Sequence, residues 1–180
     1  ARFGSDRSVI FRRQGLQAFA PQVFCKTDNM TLAARVAQEI KTFHPDGVFI
    51  DAGCGGGVID RLRQLGFEVT EINFGSAPLK AGQYANKRAE MWGEMLQWLQ
   101  AGGALPAGGE LRADLCGVRY DFDAAGRMKL ESKEQLKART GRSPDLADAL
   151  ALTFALPVQK RSGGGPAGPG RFARTEYEVL

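Results

Sequence analysis

Histidine is almost missing from this sequence. Its one copy, His44, precedes Pro45 at the end of a helical stretch, where a solvated terminal residue is the plain reading. Chemistry built on a Ser-His-Asp triad or on a cluster of histidine ligands therefore has no material here. Cysteine is scarce as well. Cys25, Cys54 and Cys116 are scattered and odd in number, which makes neither a disulfide framework nor a zinc pattern and points to a reducing compartment. No run of about 18 apolar residues occurs, so no transmembrane helix and no membrane partner are expected. A Gly-x-x-x-x-Gly-Lys-Ser/Thr loop is absent, which argues against a nucleotide-hydrolysing motor. Residues 1–6 lack the basic-then-apolar order of a signal peptide and read as the middle of a structural element, as if cut from a longer chain.

What remains is ordinary in bulk. The 180 residues are 43% apolar and 24% charged, enough for one domain with a real core. A net charge of +4 is compatible with a polyanionic partner without requiring one. Any chemistry must rest on carboxylates, lysines or a bound ion.

Residues 8–13 read as a strand, 22–24 as a short strand, and Asp28 or Asn29 as the cap of a helix carrying Leu32, Val36, Ile40 and Phe43. The wholly apolar run 47–51 ends in Asp51 and suits a strand buried on both faces of a parallel sheet. A glycine-rich turn, 53–57, then leads into a short helix, and 67–72 forms the next strand, an α-β-α-β succession. A long helix is expected over 83–100, with Met91, Met95, Trp98 and Leu99 on its packed side and Lys87 and Arg88 facing elsewhere. A helical turn near 111–115 comes next. Residues 119–123 and 127–131 flank Ala124-Ala125-Gly126 as a hairpin, and Ser132 opens a further short helix. In the last element, Ser143 is the N-cap, Pro144 the first helical residue and Asp145 a dipole partner. Residues 158–180, rich in glycine and proline, read as a flexible tail behind a domain spanning 1–157.

Asp145 and Asp148 are three residues apart, one turn along one helix face. An acid at a helix start is ordinary, but Asp148 sits among Ala147, Ala149 and Leu150, where an unpaired carboxylate is costly and a cation would neutralise it. Asp51 closes a central strand, where open α/β sheets place their ligands, and small Ala52 and Gly53 let an ion approach. The plain alternative for Asp51 is a cap on the following turn. Three such acids suit magnesium or manganese, which take oxygen ligands, and two ions about 4 Å apart would serve phosphodiester cleavage.

A rival reading uses the same strand. Residues 48–57 look like the glycine motif of Rossmann-type S-adenosylmethionine-dependent methyltransferases, with Glu68 or Glu71 on the ribose. No Asn-Pro-Pro-Tyr type strand follows, parallel strands are too few, and Asp145 and Asp148 are left without a role. Among the basic residues, Lys80, Lys87, Arg88, Lys133 and Lys137 read mostly as solvated. Arg119, Arg127 and Lys129 on the hairpin, and Arg139 and Arg142 near the acidic pair, could grip a phosphate backbone.

Taken together, residues 1–10, 46–57, 84–92 (Tyr84-Ala85-Asn86-Lys87-Arg88-Ala89-Glu90-Met91-Trp92) and 143–150 (Ser143-Pro144-Asp145-Leu146-Ala147-Asp148-Ala149-Leu150) resemble the nuclease domain of tailed-phage terminase large subunits over about residues 1–157. The resemblance implies a ribonuclease H-like α/β fold, a central mixed sheet flanked by helices with an added hairpin. It implies an endonuclease that uses two magnesium or manganese ions to cut concatemeric double-stranded DNA during head filling in the host cytoplasm. Asp51 matches the family's second catalytic acid, and Asp148 its terminal helix acid, with Asp145 sharing the metal site. The family's first acid falls just before Ala1, and Asp6 matches a turn residue with no catalytic role. The implied partners are the terminase ATPase domain, the small terminase subunit and the portal protein.

Overall fold

The computed structural model describes residues 7–159. Strand β1 (Ser8–Ile10) pairs antiparallel with β4 (Gln22–Phe24), Val9 opposite Val23, and a small hairpin of β2 (Arg13–Gln14) and β3 (Gln17–Ala18) lies between them. The single strand expected over 8–13 is thus two pieces. Ile10 and Phe11 are both buried but face opposite ways, into two separate apolar cores, as alternate residues of extended chain must.

Helix α1 (Asn29–Phe43) starts at Asp28, whose carboxylate accepts from the Met30 and Thr31 N–H groups, and ends at His44 in the left-handed region. Strand β5 (Phe49–Asp51) follows and pairs in parallel with β6 (Thr70–Ile72). The glycine run does not form the expected turn. Helix α2 (Ala52–Gln64) begins directly after β5 and takes the glycines into its first turns. A Cβ at Gly55 would lie 2.6 Å from Ile50 Cγ2, and one at Gly57 2.4 Å from Asn29 Nδ2. These two glycines let α2 press against β5 and α1, and no open loop is left for an adenosyl group.

Helix α3 (Lys87–Gln100) is shorter than expected, capped by Asn86, because the preceding chain is a loop in which Tyr84 bridges to Met128. Lys87 and Arg88 do not face outward. Both are buried. Helix α4 (Gly109–Gly117), the hairpin of β7 (Tyr120–Phe122) and β8 (Met128–Leu130), helix α5 (Lys133–Thr140) and helix α6 (Asp145–Leu152) complete the chain. In α6 the cap position is Pro144 rather than Ser143, with no side-chain cap bond of its own. Val158 is buried against Gly47, so the packed chain passes the expected boundary at 157. Residues 160–180 of the expected tail, and Asp6, lie outside the described residues.

Helices α1 and α2 cover one face of the strands, and α3, α4 and α6 the other, as the two cores record. Among the described residues the strands form four two-stranded ladders rather than one continuous mixed sheet.

Candidate metal centre

The end of β5 and the start of α6 meet at a cavity of about 270 Å³ that Asp51, Asp145 and Asp148 all line. Asp51 stands at the last position of β5. Its Oδ1 accepts from the Gly53 N–H at 2.9 Å, which caps α2 and leaves Oδ2 turned to the cavity. Both readings of Asp51, cap and site residue, are therefore compatible in one side chain.

Asp148 is buried. Its Oδ1 accepts from Arg88 Nε at 3.1 Å and Trp92 Nε1 at 2.9 Å, both on α3. This geometry fixes the carboxylate plane and again leaves Oδ2 toward the cavity. The two outward oxygens share one neighbour, the Lys133 ammonium, 3.2 Å from Asp148 Oδ2 and 3.9 Å from Asp51 Oδ2. Phe74 lies under that ammonium, 4.7 Å from ring centroid to Nζ. The protein's own cation thus sits between two carboxylate oxygens that, among the described residues, accept no hydrogen bond from a neutral group.

The oxygen pair fits a hard divalent ion, which binds through one or two carboxylates and keeps several waters. Lys133 is half-exposed on a flexible stem and can swing aside. The third expected ligand is engaged elsewhere. Asp145 Oδ2 accepts from the Arg7 backbone N–H and Nε, both at 3.4 Å, and among the described residues no group of three acids forms a metal cluster. Asp145 lines the same cavity as Asp51 and Asp148 and is ion-paired with Arg7.

Helix α6 is held at both ends. In place of a local cap, buried Asp114 of α4 accepts the Leu146 N–H at 3.1 Å and pairs with Arg142 Nη2 at 2.9 Å. Burial raises the Asp114 pKa, against the pull of Arg142 and the Leu146 N–H. At the other end, buried Arg13 donates to Thr153 Oγ1 at 2.9 Å and to the Thr153 carbonyl at 3.1 Å. Arg7 joins this frame by reaching Glu110 at 2.5 Å. Its guanidinium pKa is raised, although burial opposes this, because Glu110 and Asp145 outweigh it.

Sequence reasoning missed Arg88, Trp92, Lys133 and Asp114 as site residues. A usable signal existed for the cations. Lys87 and Arg88 open α3 and Lys133 opens α5, and positive charge at a helix start opposes the dipole unless a local carboxylate compensates.

The chain resembles solved structures of phage large-terminase nuclease domains. It superposes on the nuclease domain of the large terminase subunit gp2 of bacterial virus Sf6 with a TM-score of 0.71 at 19% identity, covering 88% of this chain and 86% of that one. A point mutant of that domain with manganese and β-thujaplicinol gives 0.70, also at 19% identity, over 88% and 86%. The large terminase nuclease from thermophilic phage G20c with bound magnesium gives 0.62 at 16% identity, over 85% and 77%. No protein-family model and no curated protein sequence matches the chain. At these identities the likeness establishes the fold: it is the ribonuclease H-like α/β fold of terminase nuclease domains.

Proposed function

We propose that this chain is a metal-dependent endonuclease that cuts double-stranded DNA, the nuclease part of a phage terminase large subunit acting in genome packaging. The observation that carries the reading is the convergence of Asp51 and Asp148, from separate elements, on one cation position in a cavity. The shared fold supports it, since solved relatives of that fold are described as terminase nucleases with manganese or magnesium.

In this reading Asp51 and Asp148 hold the ion through their Oδ2 atoms. A bound magnesium or manganese would polarise the scissile phosphodiester and acidify an attacking water. Arg88 and Trp92 keep the Asp148 carboxylate aimed, and Gly53 keeps that of Asp51. Lys133, displaced from between the acids, is placed to pair with a DNA phosphate. A second ion would need oxygen ligands beyond this pair. The ATPase domain, small terminase subunit and portal protein are the partners of the assembly, and the cytoplasm of an infected bacterium is its setting.

Supercoiled plasmid incubated with manganese should be nicked, and a chelator should stop the reaction. Asp51→Asn should lower the rate by at least about a hundredfold. Asp51 is only half-buried, so this variant folds, and cutting at the wild-type rate would remove the proposed site. The methyltransferase reading has no support in the structure, and calorimetry with S-adenosylmethionine should give no saturable heat.

A further inference from the structure

Helix α6 has only eight residues, and its first turn carries Asp148. The opening N–H groups of a helix have no partner within it, and Pro144 at the cap position brings no side-chain acceptor. A helix this short is marginal without outside support. That support comes from α4, which contributes Glu110 and Asp114, two acids one turn apart. Buried Asp114 accepts the Leu146 N–H through Oδ2 at 3.1 Å, and its Oδ1 lies 2.9 Å from Arg142 Nη2, just before α6. Arg142 Nη1 also reaches Glu110, at 3.3 Å.

Two elements therefore fix Asp148 from different sides. Helix α3 grips its carboxylate through Arg88 and Trp92. Helix α4 fixes the backbone at Leu146, two residues and about 3 Å of helix rise earlier. The Trp92 bond measures 2.9 Å, so a first turn that slipped by about 1 Å would break it.

We propose that Asp114 is a positioning residue for the nuclease reaction, an N-cap supplied to α6 from another helix whose acceptor oxygen sets where Asp148 presents Oδ2. Asp114 does not itself line the cavity. The role demands an acceptor at the right place and no charge. Its catalytic consequence rests on the nuclease reading, whereas the aim of Asp148 can be measured without any cutting.

Three variants test it. Asp114→Leu fills a similar space without an acceptor. Asp114→Asn keeps an acceptor in place, because Arg142 is half-exposed, already reaches Glu110 and can turn away. Asp114→Glu keeps the charge but moves the oxygens by one methylene. The readout is the Trp92 indole N–H proton, seen by nuclear magnetic resonance, which reports its bond to Asp148. Trp98, whose indole donates to the Gly15 carbonyl at 2.8 Å, is the internal reference. In the Leu and Glu variants the Trp92 signal should move upfield and the Trp98 signal should stay. At saturating manganese, kcat for plasmid nicking should fall by about tenfold or more with KM for plasmid unchanged. Asp114→Asn should keep the wild-type indole signal and a kcat within about twofold. Leu62→Ala, a truncation in the other apolar core, controls for lost stability, and should lower the melting temperature while leaving both readouts alone. Wild-type indole signal and kcat in the Leu variant, or in the Glu variant should the Leu variant not fold, overturn the proposal. So does an Asn variant as impaired as the others. An indole signal that follows the acceptor in a chain that cuts no plasmid counts against the nuclease reading alone.

Discussion

At the scale of single residues, the carboxylates Glu90 and Asp148, buried on α3 and α6, each have a cationic partner among the described residues, with a measurable consequence for Glu90. Glu90, buried on α3, accepts from Lys87 Nζ at 2.7 Å and from the Leu79 and Lys80 backbone N–H groups at 3.0 and 2.7 Å. Burial alone would raise its pKa, but the ammonium and the two N–H donors outweigh burial and lower it below 4.5. Its stabilising contribution is therefore complete above pH 4.5 and is lost as the pH falls through the depressed folded value. Glu90→Gln should lower stability at neutral pH by about 3 kcal/mol in urea titrations, because the Lys87 ammonium would stay buried without its counter-charge. That deficit should shrink below pH 4.5, where the wild-type carboxylate is itself being protonated. Lys133 has the opposite character. Its half-exposed ammonium competes for the place of an ion, so Lys133→Met should tighten manganese binding severalfold, about threefold to tenfold after solvent screening, as read by titration calorimetry.

At the scale of elements, the glycines of α2 separate two effects that usually appear mixed. Gly56 has open space where a Cβ would go, so Gly56→Ala should stabilise the helix by up to about 1 kcal/mol. Gly55 faces Ile50 at 2.6 Å, and Gly55→Ala should destabilise by about 1–3 kcal/mol and weaken cutting, because α2 must lift away from the strand that carries Asp51. Thermal melts of the two variants should move in opposite directions. The same region shows what the sequence disclosed and what it hid. Local patterns were sufficient for α1, β5, the β7–β8 hairpin and the α5 cap, since Asp28, the apolar run into Asp51, the turn at Gly126 and the Ser132–Gln135 box all act within a few residues. Asp51 and Asp148 were legible for a similar reason, being acids set among small or apolar neighbours. The glycine run was misread because a turn and a close-packed helix demand the same residue, and only the partner across the gap, Ile50 or Asn29, decides. Arg88 and Asp114 were hidden because their partners lie 60 and 32 residues away, where no periodicity reaches.

At the scale of the whole molecule, the proposed function has a salt signature: a chain of net charge +4 that gripped DNA through phosphates would bind it less tightly as salt rises. With about four phosphates neutralised, affinity should fall by roughly a hundredfold between 50 and 200 mM salt, and filter binding in calcium would measure it without cutting. The ammonium lodged between the two carboxylates has a broader effect on how the molecule comes to be. It serves as an internal counterion, so the acids need no outside cation to neutralise them while the chain collapses. If the site takes an ion as proposed, folding and loading would be separable events, unlike in small metal-built domains that exist only when charged with their ion. A chelator should leave the wild-type melting temperature almost unmoved. In Lys133→Met it should lower that temperature, because the ion would then have inherited a duty that the lysine discharges from the start.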